Sequence, residues 1–211
     1  MWQAFSYYAT LAIESALGVF GIRLYEEPRF EVIERIGDRV EIRSYGPRLT
    51  AQAVVARPGN AGRSEAFQLL FNYIAGANAG AGGAADRIAM TTPVDVRPSR
   101  LAMTTPVQAA ETSGAVQMQF FLPAIYTLQT APAPADQRVQ IITVPAETIA
   151  ALRFSGSGRD FAERQAELLE LLKTSQWRPV GDTYALNYDA PFTLPFLRRN
   201  EAAVAVRKPG P

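Results

Sequence analysis

The sequence predicts an α+β domain of antiparallel strands carrying two helices. Three observations predict it. Short runs of alternating apolar and polar residues recur between Gly, Pro and Asp turn signals. Two stretches, 64–75 and 160–175, instead place apolar residues at helical spacing. The order strands, helix, strands occurs twice, which points to two pseudo-symmetric halves with a cleft at or beside their seam. A chain of 211 residues suits one domain, with or without an appendage, and can bury a core without staples.

Taken in order, residues 2–24 form a nearly continuous apolar stretch with Gln3, Ser6, Thr10 and Glu14 at helical spacing. It lacks a basic leading region and an A-x-A pattern, so no cleavable signal is expected. About 20 apolar residues would span a bilayer, but Glu14 falls mid-span. The expectation is a helix that docks on its own domain, on a partner, or on a membrane. Phe30 to Arg35 and Arg39 to Tyr45 read as a hairpin around Gly37-Asp38, and Leu49 to Ala56 as a third strand. The helix at 64–75 shows Phe67, Leu70, Phe71 and Ile74 at i, i+3, i+4, i+7. The Gly/Ala-rich segment 76–85 reads as a loop. It has no G-K-[ST] and follows a helix, so it is no phosphate cradle.

Ile88-Ala89-Met90-Thr91-Thr92-Pro93-Val94 then repeats 13 residues later as Leu101-Ala102-Met103-Thr104-Thr105-Pro106-Val107. With Asp95–Arg100 as a turn, the copies predict a hairpin whose prolines sit at edges, ends or bulges. Met90 and Met103 then fill core gaps or line a pocket for a flat apolar ligand. Strands follow at 116–122, 139–144 and 148–154. Ser155 and Ser157 read as turn and cap residues for the second helix, whose buried face is Phe161, Leu168, Leu171 and Leu172. Short strands at 184–188 and 202–206 close the chain, with an apolar loop around Leu194 and Phe196.

Composition excludes several chemistries. There is no Cys and no His, which removes thiolate nucleophiles, zinc–thiolate sites, imidazole bases and the commonest haem ligand. A net charge of +1 from 21 basic and 20 acidic residues, without a Lys/Arg block, argues against nucleic acid as a partner.

Several ordered motifs together resemble the SOUL haem-binding family. They are Val40-Glu41-Ile42-Arg43-Ser44-Tyr45-Gly46-Pro47, Asn72-Tyr73-Ile74-Ala75-Gly76-Ala77-Asn78, the Met-Thr-Thr-Pro-Val runs, Phe121-Leu122-Pro123, Ala131-Pro132-Ala133-Pro134, Arg153-Phe154-Ser155-Gly156, Tyr188-Asp189-Ala190-Pro191 and Arg198-Arg199-Asn200-Glu201. The resemblance covers about 25–206, leaving 1–24 as an N-terminal segment and 207–211 as a tail. It implies a distorted antiparallel β-barrel with two helices, similar to small-molecule effector-binding domains. It also implies non-covalent binding of haem or a related tetrapyrrole. Carried over by position, the cofactor-binding surface is Phe67, Leu70, Phe71 and Ile74, with Met90 nearby and Leu194 and Phe196 opposite. Arg63 or Arg48 would replace basic residues that pair with propionates in relatives.

No catalytic and no metal-ligating set is expected. Tyr45, Tyr73, Met90 and Met103 are residues able to ligate iron, though buried hydroxyls and core sulfurs usually do otherwise. Arg198 and Arg199 form either an anion site or pairs with Glu201 or Glu41. Glu147 is either an acceptor for a cationic ligand or an exposed strand-turn residue. The functional expectation is a non-enzymatic tetrapyrrole carrier or buffer. The alternative is an interaction subunit, its ligand site degenerate, docking on a membrane complex through residues 2–24. The expected location is cytoplasmic or membrane-associated.

Overall fold

The structure, a computed structural model, describes residues 25–80, 82–99, 114–189 and 193–209. The expected N-terminal helix, the second Met-Thr-Thr-Pro-Val run with Met103, and the Ala190-Pro191 turn lie outside the described residues. Among the described residues eleven strands and two α-helices follow one another. They are β1 (Phe30–Ile36), β2 (Val40–Tyr45), β3 (Arg48–Val55), α1 (Gly59–Ile74), β4 (Asn78–Ala79), β5 (Val94–Ser99), β6 (Ala115–Phe121), β7 (Ala133–Pro134), β8 (Val139–Val144), β9 (Glu147–Phe154), α2 (Phe161–Lys173), β10 (Arg178–Asn187) and β11 (Asn200–Arg207). A single 3₁₀ turn, Pro195–Leu197, precedes β11.

Nine strands form one antiparallel sheet in the order β1-β2-β9-β11-β10-β5-β6-β3-β8, and β4 pairs with β7 separately. The order β2-β9-β11-β10 is mirrored by β8-β3-β6-β5, so the two halves meet at the β10–β5 pair. Each half is a strand, a helix and two further strands, and each borrows its outer strand from the other half. The expected halves and seam are therefore present, but the barrel is not closed: β1 and β8 remain edges. The sheet curls until Arg48 of β3 lies over the Tyr45 ring of β2, 4.1 Å from its centroid, with five strands between them in the order. The short connections Gly46-Pro47 and Pro145-Ala146 bound this curl, and proline has no N–H with which to extend the ladder.

The helices cover one face. α1 packs over β6 and β3, and α2 over β9, β10 and β11. The main core lies beneath them and includes Ile42, Ala53, Leu70, Met118, Leu152 and Leu168. On α1 the buried stripe is Gly62, Ala66, Leu69, Leu70, Tyr73 and Ile74, rotated from the stripe the sequence suggested. Ala66 and Gly62 supply close approach rather than apolar bulk, so a count of large apolar residues misses them. α2 buries Phe161, Leu168 and Leu172 with Leu171 partly covered, as its spacing predicted. Its N-cap is Asp160, without a side-chain cap bond, rather than Ser155 or Ser157.

The expected turn Asp95–Arg100 is a correction, because its first five residues belong to strand β5. Val94 and Val96 face the helices, while Asp95 and Arg97 form an ion pair at 2.8 Å on the other face. Polarity alone read as a turn, when it is the second face of a strand buried on both sides. The first repeat also forms no strand before Val94: Thr91 only bridges Glu26, and its hydroxyl donates to the Phe121 carbonyl. The Thr92-Pro93 bond is cis. β10 is longer than expected, starting at Arg178, with an irregular register between Val180 and Tyr184 around Gly181, whose φ is 85°.

Candidate functional site

At the seam α2 packs over β10, while neither helix packs closely over β5. α1 runs beside β3 and β6, with its start near Val116 and its last carbonyl, Ile74, accepting from the Ile88 N–H at 2.9 Å. Phe67 meets Phe120 of β6 edge-to-face, with ring centroids 5.5 Å apart. Phe120 pairs with Val94 of β5, and Val94 with Asn187 of β10. Phe67 and Phe71 therefore lie on the flank of α1 toward the seam, near the end where β10 leaves the sheet. Their rings stack at 6.0 Å and 15°, and they are 36% and 44% exposed. An exposed aromatic pair one turn apart, unlike an isolated exposed residue, is an unusual use of surface.

The seven expected residues thus divide into three groups. Phe67 and Phe71 are exposed; Leu70 and Ile74 are buried under α1; Met90 is partly buried against the core. Leu194 and Phe196 are exposed on the loop between β10 and β11. That loop leaves β10 beyond Asn187, at the same end as Met90 and the last turn of α1. Arg63, one turn before Phe67, is exposed. Arg48 is on the opposite face, pairing Glu147 and stacked between Tyr45 and Phe121, so it is not available to a ligand on α1. A groove of about 640 Å³ lies along the other flank of α1, lined by Leu69, Asn72, Tyr73, Pro134, Arg138 and Val139.

The two tyrosines able to ligate iron, Tyr45 and Tyr73, are both buried. Tyr73 is buried and its hydroxyl donates to the Pro132 carbonyl at 2.9 Å; burial pushes it up to about 12. Tyr45 lies on the helix-free face, tilted against Phe30 at 5.2 Å, and burial raises it despite Arg43 and Arg48. Among the described residues no three His, Cys, Asp or Glu side chains are grouped to hold a metal.

The helix-free face carries charge chemistry of which the sequence reading offered only an Arg198 or Arg199 pair with Glu201 or Glu41. Glu201, Leu186, Asp95, Gln119 and Gln52 are successive cross-strand partners, so they point to one face in one row. Arg43 donates to both oxygens of Glu201 at 2.6 and 3.0 Å, the Tyr188 hydroxyl donates at 2.7 Å, and Arg199 bridges Glu201 to Glu27. Arg199 is therefore a half-buried pairing residue, and Arg198 donates to the Thr193 carbonyl. Arg97, over the Tyr184 ring at 3.9 Å, holds Asp95; burial still raises Asp95 above the ordinary carboxylate range, with Arg97 opposing. Glu147 accepts from Arg48, so its acceptor is taken by the chain's own cation. The cavity between these two networks, lined by Pro28, Tyr45, Arg48, Asp95, Phe121 and Tyr184, is about 10 Å³, room for one water. The readable signal was charge alternating inside apolar strands, Glu41/Arg43 and Asp95/Arg97.

The sequence over residues 25–205 matches the SOUL heme-binding protein family. The chain belongs to the SOUL family. No curated protein matches it in sequence. Solved structures similar to this SOUL chain include the EcmrR C-terminal domain, with a TM-score of 0.60 at 9% identity over 81% of this chain and 98% of that one. An uncharacterized conserved protein from Listeria innocua superposes with a TM-score of 0.58 at 10% identity, covering 80% and 92% of the two chains. A structure described as a hydrolase, also from Listeria innocua, gives 0.54 at 10% identity with the same coverage. At such identities these likenesses establish the fold, an α+β sheet with two helices, and nothing of the chemistry. No described helix is long and apolar enough to cross a membrane.

Proposed function

We propose that this SOUL protein binds haem or a related tetrapyrrole non-covalently, as a carrier or buffer, on the α1 flank that faces the seam. The observation that carries this reading is the stacked, exposed Phe67–Phe71 pair, in a family whose name is haem binding. The residues suit a planar apolar ring: Phe67 and Phe71 would hold one face, Phe196 and Leu194 would approach from the loop, and Arg63 would pair a propionate. The bound group would supply its own colour and redox chemistry; the chain supplies contact area and shielding. With no His or Cys in the sequence, affinity rests on apolar contact. Covering roughly 100 Å² of apolar surface contributes about 2.5 kcal/mol before association costs.

The groove of about 640 Å³ on the opposite flank is large enough for a tetrapyrrole and supports a second placement of the same ligand. Haemin titration followed by absorbance separates the two. Saturable change in the parent, weakened in Phe71→Ala and unaltered in Asn72→Trp, supports the seam flank. The reverse pattern moves the site to the groove. No saturable change in the parent sinks the carrier reading and leaves the interaction-subunit alternative.

A further inference from the structure

We infer that the end of the sheet at which β6 and β10 finish is a lipid-docking face, with the loops after those strands as its inserting tips. Phe120 of β6 and Asn187 of β10 both pair with Val94, and both strands run antiparallel to β5. They therefore run the same way and end level, on either side of β5. The loop after β6, residues 123–135, holds no charged residue; nor does the stretch 190–197 after β10. The most exposed large apolar side chains of the described residues sit on these loops: Ile125 at 80%, Phe196 at 70% and Leu128 at 54%. Leu194 and Leu197 are exposed beside Phe196, and Phe71 ends the exposed pair on α1 at the same end.

Elsewhere the exposed large apolar residues Val32, Ile33, Val54 and Val180 are on strands and less than half exposed. Two charge-free stretches carrying exposed Ile, Leu and Phe are a different arrangement. Such tips lower their free energy by entering an acyl boundary, where no partner surface of matching shape is needed. The chain's own course favours a lipid occupant. Glu26 accepts from the Thr92 N–H at 3.0 Å and, through its side chain, from the Ala124 N–H at 3.1 Å, so residue 25 enters the domain at this same end. The near-continuous apolar sequence of residues 2–24 is thereby joined to the face that carries the apolar tips. A protein partner would instead call for a flat patch with a polar rim.

The face shares Phe71, Leu194 and Phe196 with the tetrapyrrole reading, but Ile125 and Leu128 are not among the residues assigned to that ligand and so separate the two. The test is flotation of the full chain with vesicles of phosphatidylcholine containing a minor share of phosphatidylglycerol. The parent is expected to float. Ile125→Glu with Leu128→Glu should lower its partition coefficient about tenfold or more, while Val180→Glu, at the far end of β10, should not. Haemin titration of the double variant should match the parent. A second readout is Phe196→Trp with brominated lipid: added quenching over the parent places the loop in the bilayer. Equal flotation of the double variant and the parent, or no added quenching, overturns the inserting tips. Failure of the parent to float overturns the lipid assignment whatever haemin does.

Discussion

Arg43 of β2 and Glu201 of β11 form a two-pronged ion pair, 2.6 and 3.0 Å, inside the curl of the sheet, with side chains 3% and 0% exposed. Burial would raise Glu201, but Arg43, Arg199 and the Tyr188 hydroxyl overcome it and hold the carboxyl below its ordinary 4.5. A carboxyl depressed in the fold stabilises it above the unfolded value, about 4.3. That share is lost as pH falls through the folded value. Glu201→Gln should therefore flatten the loss of stability in acid. It should also lower stability near pH 7 by up to about 3–5 kcal/mol, because buried Arg43 loses its two-pronged partner and keeps only the more exposed Glu41, at 2.9 Å. Urea midpoints measured across acid and neutral pH check both; an unchanged acid slope would assign acid sensitivity to other carboxyls.

Tyr188→Phe removes one donor from the same carboxylate and keeps the ring beneath Arg199, whose guanidinium lies 3.7 Å from its centroid. The expected cost is about 1–3 kcal/mol of stability. In combination with Glu201→Gln the effects should fall short of their sum, since both substitutions act on one network. Additive losses in chemical denaturation would mean that the hydroxyl acts elsewhere.

Gly62 is a packing glycine in α1. A Cβ there would lie 2.0 Å from the Arg57 carbonyl oxygen and 3.1 Å from a Val116 methyl. Ala is the better helix former, yet Gly62→Ala should destabilise by about 1–3 kcal/mol or more, because the close approach outweighs propensity. A thermal midpoint equal to or above that of the parent would show that the chain after β3 can shift aside at little cost.

Much of the fold is legible because apolar periodicity is a local signal. Val40/Ile42, the β3 alternation and Phe161/Leu168/Leu172 all face where spacing puts them. What was not legible depends on partners far along the chain. Asp95 and Arg97 look like turn residues until β6 and β10 flank them. Glu201 reads as a partner for its neighbour Arg199, but that Arg43, 158 positions away, also turns toward it is not local information. The openness of the sheet is likewise a matter of curl between strands that do not pair. On α1 the helix was readable, but its rotation was set by Gly62, Ala66 and Tyr73, which carry little apolar signal.

The two ends of that rotation can be told apart by substitution. Leu70 and Phe71 are neighbours in sequence, yet Leu70 is fully buried in the core while Phe71 faces outward beside Phe67. Leu70→Ala removes core volume and should cost about 2–5 kcal/mol of stability. If the protein is kept folded, haemin affinity should change little. Phe71→Ala removes surface contact and should cost little stability, while haemin binding weakens roughly tenfold, since about 1.4 kcal/mol is one decade. Tyr45→Phe should leave the ferric spectrum and affinity as in the parent, because Tyr45 is enclosed by Phe30, Arg43 and Arg48 on the other face of the sheet. Paired thermal melts and haemin titrations on the three variants measure every part of this pattern. Loss of haemin binding in Leu70→Ala at full foldedness, or in Tyr45→Phe with a changed spectrum, would carry the ligand away from the exposed flank of α1.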